Sequence, residues 1–133
     1  MKDIPLRDSV ILNARQNQNN KLTLRLISEG YDINAGAGAT WTPLIWACET
    51  MDAEMTKKLL ELGADANASD GDGRTPLHHA TRQNCIKSME ALIEHGANLD
   101  AVDGDGFTAL HHACNLDRLE AAIVLVKSGA STS

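Results

Sequence analysis

The sequence predicts an all-α solenoid of four helix-turn-helix units joined by short β-hairpin loops. The main observation is a period of 33 residues: GRTPLHHA at 73–80 returns as GFTALHHA at 106–113 and, more altered, as TWTPLIWA at 40–47. A repeat of this length indicates stacked units that bury their core in slices. The composition agrees, because 43% of the residues are hydrophobic but only 3% are aromatic, which suits thin layers of aliphatic side chains.

The copy at 72–104 shows how one unit is built. Thr75 can cap the first helix, and Pro76 supplies the fixed φ of its first residue. We expect this helix to run to about Gln83 and Asn84 to adopt the left-handed turn that ends it. A second helix then places apolar residues on one face before Gly96 stops it, and these are Ile86, Met89, Leu92 and Ile93.

The connection between units is short, polar and rich in Gly and Asp at 97–106, which predicts an extended β-turn loop. Each unit is therefore a helix, a turn, a second helix and a hairpin loop. TPLHHA at 75–80 and GANLD at 96–100 resemble the ankyrin repeat, whose corresponding segments read T-P-L-H-x-A and G-A-D-V-N. The resemblance covers nearly the whole chain and implies an ankyrin-repeat solenoid.

The domain organisation follows from the period. We predict one ankyrin repeat domain over residues 1–133, with units at about 5–38, 39–71, 72–104 and 105–133. The first unit keeps the apolar frame but replaces the Thr-Pro entry with Ser9 and Val10. A terminal unit needs a polar outer face, so this one is predicted to be the N-terminal cap.

Two later units depart from the pattern. The second carries Ile45 where His78 and His111 stand in its neighbours. The resemblance implies that a histidine there bridges neighbouring loops, so the second unit should lack one tie. In the fourth unit Ile123 replaces a charged residue, which predicts a last helix that is apolar on two faces. We expect this end to be covered by further repeats or by self-association.

Charge and cysteine usage restrict the environment. The net charge is −6, and residues 39–133 carry 14 acidic against 7 basic side chains, so nucleic acid is not an expected partner. No apolar run is long enough to span a bilayer or to serve as a signal peptide. Cys48, Cys85 and Cys114 lack metal-binding spacing and are predicted to be buried in a reducing compartment. We therefore expect a cytoplasmic protein, or a nuclear one in a eukaryotic host.

The sequence predicts neither a metal or cofactor site nor an enzyme. Neighbouring residues of the His-His pairs at 78–79 and 111–112 point about 100° apart on a helix and cannot share one ion. The Asp-Gly-Asp-Gly segments at 70–73 and 103–106 fail the ligand spacing of an EF-hand loop, so we interpret them as tight turns. No nucleophile or phosphate-binding motif is present.

Recognition of a partner remains, and the resemblance implies that hairpin tips and the exposed side of the inner helices form a concave binding surface. Carried over by register, the partner-binding candidates are Trp41, Trp46, Glu49, Asp72, Arg74, His79, Arg82, Gln83, Asp105, Phe107, His112 and Asn115. Exposed Trp and Arg often dominate binding energy. Acidic tips at Asp70, Asp72, Asp103 and Asp105 should favour a protein partner with a basic rim.

Several alternatives stay open at this point. In one of them, Trp41 and Trp46 pack over the loop at 36–39 and cover the N-terminal cap. The chain is predicted to be a non-catalytic protein-interaction module or scaffold. An inhibitor or immunity-type protein that occludes a partner enzyme would use the same surface, and a regulatory segment of a larger protein would have the same repeats.

Overall fold

The computed structural model describes residues 6–131, with side chains from residue 8. This part of the chain holds eight α-helices and no strand. The helices pair in chain order, and the first helices of the pairs pack side by side, while α4, α6 and α8 form a second layer. The helices are α1 (Leu6–Gln16), α2 (Asn20–Ser28), α3 (Pro43–Glu49), α4 (Ala53–Glu61), α5 (Pro76–Arg82), α6 (Ile86–Glu94), α7 (Ala109–Asn115) and α8 (Leu119–Ser128).

The short inner helices α3, α5 and α7 begin in the same way. The hydroxyls of Thr42, Thr75 and Thr108 each accept the backbone N–H three residues ahead. In the last two, a histidine completes a capping box: Nδ1 of His78 accepts the N–H of Thr75 at 3.1 Å, and Nδ1 of His111 accepts that of Thr108 at 2.9 Å. The predicted cap at Thr75 is confirmed.

The predicted helix ends are confirmed as well. Helix α5 ends at Arg82, with Gln83 as its C-cap. Asn84 follows with a φ of 54°, which is the left-handed conformation expected of it. Helix α6 stops at Glu94, and Gly96 turns the chain with a φ of 86°.

The loops between helix pairs are closed turns rather than strands, so the predicted β-hairpins are not confirmed. The N–H of Asp70 donates to the carbonyl of Arg74 at 2.9 Å, and the N–H of Gly73 donates back to that of Asp70 at 3.1 Å. The loop at 103–107 repeats this pattern. The loops at 70–74 and 103–107 therefore each have two hairpin-like hydrogen bonds but no strand on either side.

Side-chain ties at a fixed register join each helix pair to the next. The amide oxygen of Asn34 accepts the N–H of Asp65 at 2.8 Å, and that of Asn67 accepts the N–H of Asn98 at 2.7 Å. Asp100 repeats the contact with the N–H of residue 131 at 2.8 Å. The stacking is thus held by hydrogen bonds as well as by apolar packing.

The core is aliphatic and lies between the two helical layers. Its fully buried side chains include Leu44, Leu59, Leu77, Leu92 and Leu125. A smaller apolar cluster belongs to the first helix pair and is formed by Ile11, Leu12, Ala14, Leu26 and Ala35. Thin slices filled by Leu, Ile, Met and Ala therefore replace a single globular core, as the composition predicts.

The cysteine prediction is confirmed for two residues and wrong for one. Cys48 and Cys85 are buried, and burial raises the pKa of the Cys48 thiol to about 12. Cys114 occupies the same register position as Cys48 but is exposed. The reason is that α7 has a neighbouring inner helix on only one side within the described residues, whereas α3 has one on both sides.

The last helix exposes an apolar face, as expected from Ile123. Leu119 is 71% exposed, Ile123 45% and Val126 48%. The covering of this face by self-association or by further repeats stays a prediction.

Candidate partner-binding face

The loops that precede α3, α5 and α7 lie next to one another because those helices pack side by side. The N–H of Gly38 donates to the carbonyl of Ser69 at 2.7 Å, and the N–H of Gly104 donates to that of Asp72 at 2.8 Å. We call the surface formed by residues 38–41, 71–74 and 104–107 and by the outer sides of α3, α5 and α7 the loop–helix face. All of the partner-binding candidates belong to these loops and helices except Gln83, which is the C-cap of α5.

A buried carboxylate ties the loop before α5 to that helix. Oδ1 of Asp70 accepts the N–H groups of Asp72 at 2.9 Å and Arg74 at 3.0 Å. Its Oδ2 pairs with Nε2 of His79 at 2.8 Å. Burial opposes ionisation of Asp70, but these hydrogen bonds outweigh it and lower the pKa of the carboxyl. The interpretation of this segment as a turn stabilised by local hydrogen bonds is thereby confirmed.

The loop before α7 repeats the arrangement with Asp103. Its Oδ1 accepts the N–H groups of Asp105 at 2.9 Å and Phe107 at 3.0 Å, and its Oδ2 pairs with Nε2 of His112 at 2.7 Å. Burial again opposes ionisation, and the contacts with His112, Phe107 and Asp105 overcome it, so the pKa of Asp103 falls to about 2. We call the pairs Asp70–His79 and Asp103–His112 the Asp–His couples.

The couples correct two expectations about the surface. His79 is only 2% exposed and His112 only 4%, so neither side chain is the surface contact that the sequence predicts. Asp70 and Asp103 are 5% and 6% exposed and do not form acidic tips. The physical reason is the same in both loops: each loop folds back so that its carboxylate and the imidazole form a hydrogen bond away from water.

Three charged candidates contact the couples from neighbouring helix pairs. Oε2 of Glu49 lies 3.4 Å from Nδ1 of His79. Nη1 of Arg82 donates to Nδ1 of His112 at 3.2 Å, and Nε of Arg74 lies 3.7 Å from Oδ2 of Asp103. Part of the bonding capacity of Glu49, Arg74 and Arg82 is thus used inside the protein.

The aromatic candidates form ring contacts across the loop–helix face. Trp41 meets Trp46 edge-on at 4.8 Å and His79 at 5.2 Å between centroids. Phe107 is 39% exposed and lies 5.7 Å from the ring of His112. Trp41 and Trp46 are both partly buried, and Nε1 of Trp46 is buried. Of the three rings, Phe107 is exposed and each tryptophan keeps part of its surface in contact with solvent.

The candidates fall into three groups by exposure. Four are exposed, namely Asp72, Asp105, Phe107 and Asn115. Six are partly buried, namely Trp41, Trp46, Glu49, Arg74, Arg82 and Gln83. The remaining two, His79 and His112, are buried. The face is therefore an exposed layer on a buried polar frame.

His78, Asp103 and His112 bring ligand atoms within 4.8 Å of one another, which is the geometry of a candidate metal site. Hydrogen bonds already account for the ring nitrogens. Nε2 of His78 pairs with the carbonyl of Phe107 at 2.9 Å, and its Nδ1 accepts from Thr75. Both nitrogens of His112 are engaged, by Asp103 and by an arginine. A structural role explains this cluster.

The contact from His78 to Phe107 is the inter-loop tie that the resemblance implies, and the second helix pair lacks it. Ile45 occupies the same register position there and is fully buried. The sequence analysis missed the Asp–His couples. The signal was present, because residues 70 and 79 recur as Asp and His at 103 and 112, whereas 37 and 46 change together to Ala and Trp.

No helix in the part of the chain that the structure describes is long and apolar enough to cross a membrane. A family model described as Ankyrin repeats (3 copies) matches residues 10–103 and 52–133. A search of curated proteins gives no match to this chain. Ankyrin repeats are in general protein–protein interaction modules and are typically non-catalytic. Since the family match covers well over half of the sequence, the chain belongs to the ankyrin repeat family.

Proposed function

We propose that this protein is a non-catalytic module of four ankyrin repeats over residues 1–133 that binds a partner protein through the loop–helix face. The observation that carries the proposal is the division of that face into a recurring frame and variable positions that are exposed or partly exposed. Thr75, His78 and Ala80 recur as Thr, His and Ala at 108, 111 and 113. The register position just before the Thr differs in every copy, and its residues are Trp41, Arg74 and Phe107. Recognition depends on such grafted side chains.

The buried frame supports binding by rigid presentation. The Asp–His couples fix the loops before α5 and α7 to those helices at 2.7–2.8 Å, and backbone hydrogen bonds join adjacent loops. A partner that docks on prearranged loops loses little ordering entropy, so more of the contact energy appears as affinity. Trp41 and Phe107 supply the exposed aromatic area for such contacts.

The charge of the face supports a partner with basic groups at its rim. Asp72 and Asp105 are exposed at the loop tips, and the chain has a net charge of −6. Asp70 and Asp103 are satisfied internally and do not contribute. We therefore expect exposed acidic groups to steer association, with a rate that falls as salt is raised.

Affinity capture from the native host tests the proposal. Phe107→Ala and Trp41→Ala should lose proteins that the wild type captures, because each removes a ring that is available at the face. Leu62→Ala is the matched control, since Leu62 is 51% exposed but follows the outer helix α4. Circular dichroism shows that each variant is folded.

If all four proteins capture the same set of partners, the loop–helix face is not the binding site. The activity of a captured enzyme, measured with and without this chain, then distinguishes an inhibitor from a scaffold.

A further inference from the structure

The first and second helix pairs enclose a small polar cleft that shares Trp46 with the loop–helix face. It has a volume of about 50 Å³, and its lining includes Arg15, Gln18, Asn20, Trp46, Thr50 and Asp52. By the size that one buried water requires, it has room for about three or four waters or for the end of one acidic side chain.

Arg15 brings an uncompensated positive charge to this cleft. Its side chain lies against Trp46, with the guanidinium carbon 5.1 Å from the ring centroid. The residue is only 8% exposed, and its Nε has no hydrogen-bond partner among the described residues. No carboxylate oxygen of those residues forms an ion pair with it. Burial lowers the pKa of Arg15 to about 10, yet the group stays charged at neutral pH.

Trp46 adds a second unused donor at the same place. Its Nε1 is buried and has no acceptor within the described part of the chain. Arginine and the indole N–H can only donate, so the two residues together require an acceptor. The repeats show how unusual this is. Trp46 corresponds to His79 and His112, which each have a carboxylate, and Arg15 corresponds to Cys48, Thr81 and Cys114.

Three other polar residues of the cleft, Thr50, Asn20 and Asp52, already form hydrogen bonds. Thr50 Oγ1 donates to the carbonyl of Trp46 at 2.7 Å. Asn20 Nδ2 donates to Oδ2 of Asp52 at 2.8 Å, and Oδ1 of Asp52 accepts the N–H of Met55 at 3.1 Å. Asp52 is the one negative group that lines the cleft, and its charge should weaken the binding of an anion without blocking it.

We propose that the cleft between α1 and α3 is a carboxylate-binding site in which Arg15 and Trp46 contact the anion. A carboxylate only accepts hydrogen bonds, and its negative charge balances the positive charge of the buried Arg15 guanidinium. The site stands on this geometry alone. Its assignment to an Asp or Glu side chain of a docked protein rests on the proposed function, because Trp46 also belongs to the loop–helix face.

The test is a titration of the isolated chain, followed by the indole N–H signals in ¹H–¹⁵N spectra. Trp46→Phe assigns the Trp46 signal, and the Trp41 signal is the internal reference. Sodium acetate should shift the Trp46 signal along a saturable curve, while acetamide and sodium chloride at equal ionic strength should not. A blocked glutamate residue, compared with blocked glutamine, shows whether a side-chain carboxylate binds more tightly than free acetate.

Two variants sharpen the test. Arg15→Gln keeps a polar side chain but removes the charge, so acetate affinity should fall at least about tenfold, as for a lost charged hydrogen bond. Asp52→Asn keeps an acceptor for the cap of α4 and removes the repelling charge, so affinity should rise by a few fold. Circular dichroism verifies the fold of both.

A linear response, an equal response to acetamide, or unchanged affinity in Arg15→Gln would overturn the carboxylate site. Since the titration needs no partner, its failure leaves the protein-binding proposal standing. A failed capture experiment likewise leaves the titration result intact.

Discussion

The third and fourth helix pairs anchor their loops to their inner helices through buried carboxylates, whereas the second pair has no carboxylate at that position. Asp70 and Asp103 each bond two backbone N–H groups and one imidazole, while Ala37 can do neither. At the same register Trp46 replaces histidine and packs against Arg15. The same backbone arrangement is thus held by hydrogen bonds to a buried carboxylate in one region and by aromatic packing in another. Both unused buried N–H donors of the described residues, Arg15 Nε and Trp46 Nε1, lie in the aromatic region, while the third pair leaves one buried hydroxyl, that of Thr81, without a partner.

Removal of a couple should have the largest effect. Asp103→Ala leaves two backbone N–H groups and the imidazole of His112 without their acceptor in a buried place. The free energy of unfolding should fall by about 3–5 kcal/mol, measured by urea denaturation. Asp105→Ala, two residues away and exposed, should change it by less than about 0.5 kcal/mol. Equal effects would show that the couple does not anchor the loop.

Substitution of the loop glycines should have the next largest effect on stability. A Cβ at Gly73 would lie 2.9 Å from the backbone nitrogen of Gly104, and its φ is 78°. Gly106 has a φ of 82° but no atom within 4 Å of such a Cβ. Gly106→Ala should cost about 1–2 kcal/mol for the left-handed backbone, and Gly73→Ala about 1 kcal/mol more for the contact between loops. Thermal unfolding of both variants measures the difference, and equal losses would mean that the loops separate easily.

Transplanting a couple should produce a smaller effect. Ala37→Asp with Trp46→His gives the second helix pair the residues of the third. Both single variants should be destabilised, and the double variant should be more stable than their sum by about 1 kcal/mol in a double-mutant cycle. Additive losses of stability would show that the loop before α3 cannot bring the carboxylate to the imidazole.

The helices and their ends could be predicted from sequence because their causes are local. Thr75, Asn84 and Gly96 each act on backbone within a few residues, and the structure confirms all three. The burial of His79 could not be predicted from its helical position, since it depends on Asp70 folding back from a loop nine residues earlier. The burial of Arg15 without an ion-pair partner could not be predicted for a similar reason, because Trp46, which packs against it, belongs to another helix pair.

The pH dependence of stability should differ least between the two regions, because His78 can bind one proton and Ile45 at the same register position can bind none. Burial lowers the pKa of His78 below its ordinary value, although the hydrogen bond to the Phe107 carbonyl opposes this. The folded protein therefore holds His78 neutral while the unfolded chain takes up a proton near pH 6.5. Its contribution to stability is complete above that pH and is lost as the pH falls, with a slope of at most about 1.4 kcal/mol per pH unit. His78→Ile should reduce the slope between pH 7 and 5, where Asp103 remains ionised. An unchanged slope in His78→Ile would mean that the folded protein accepts the proton at this site.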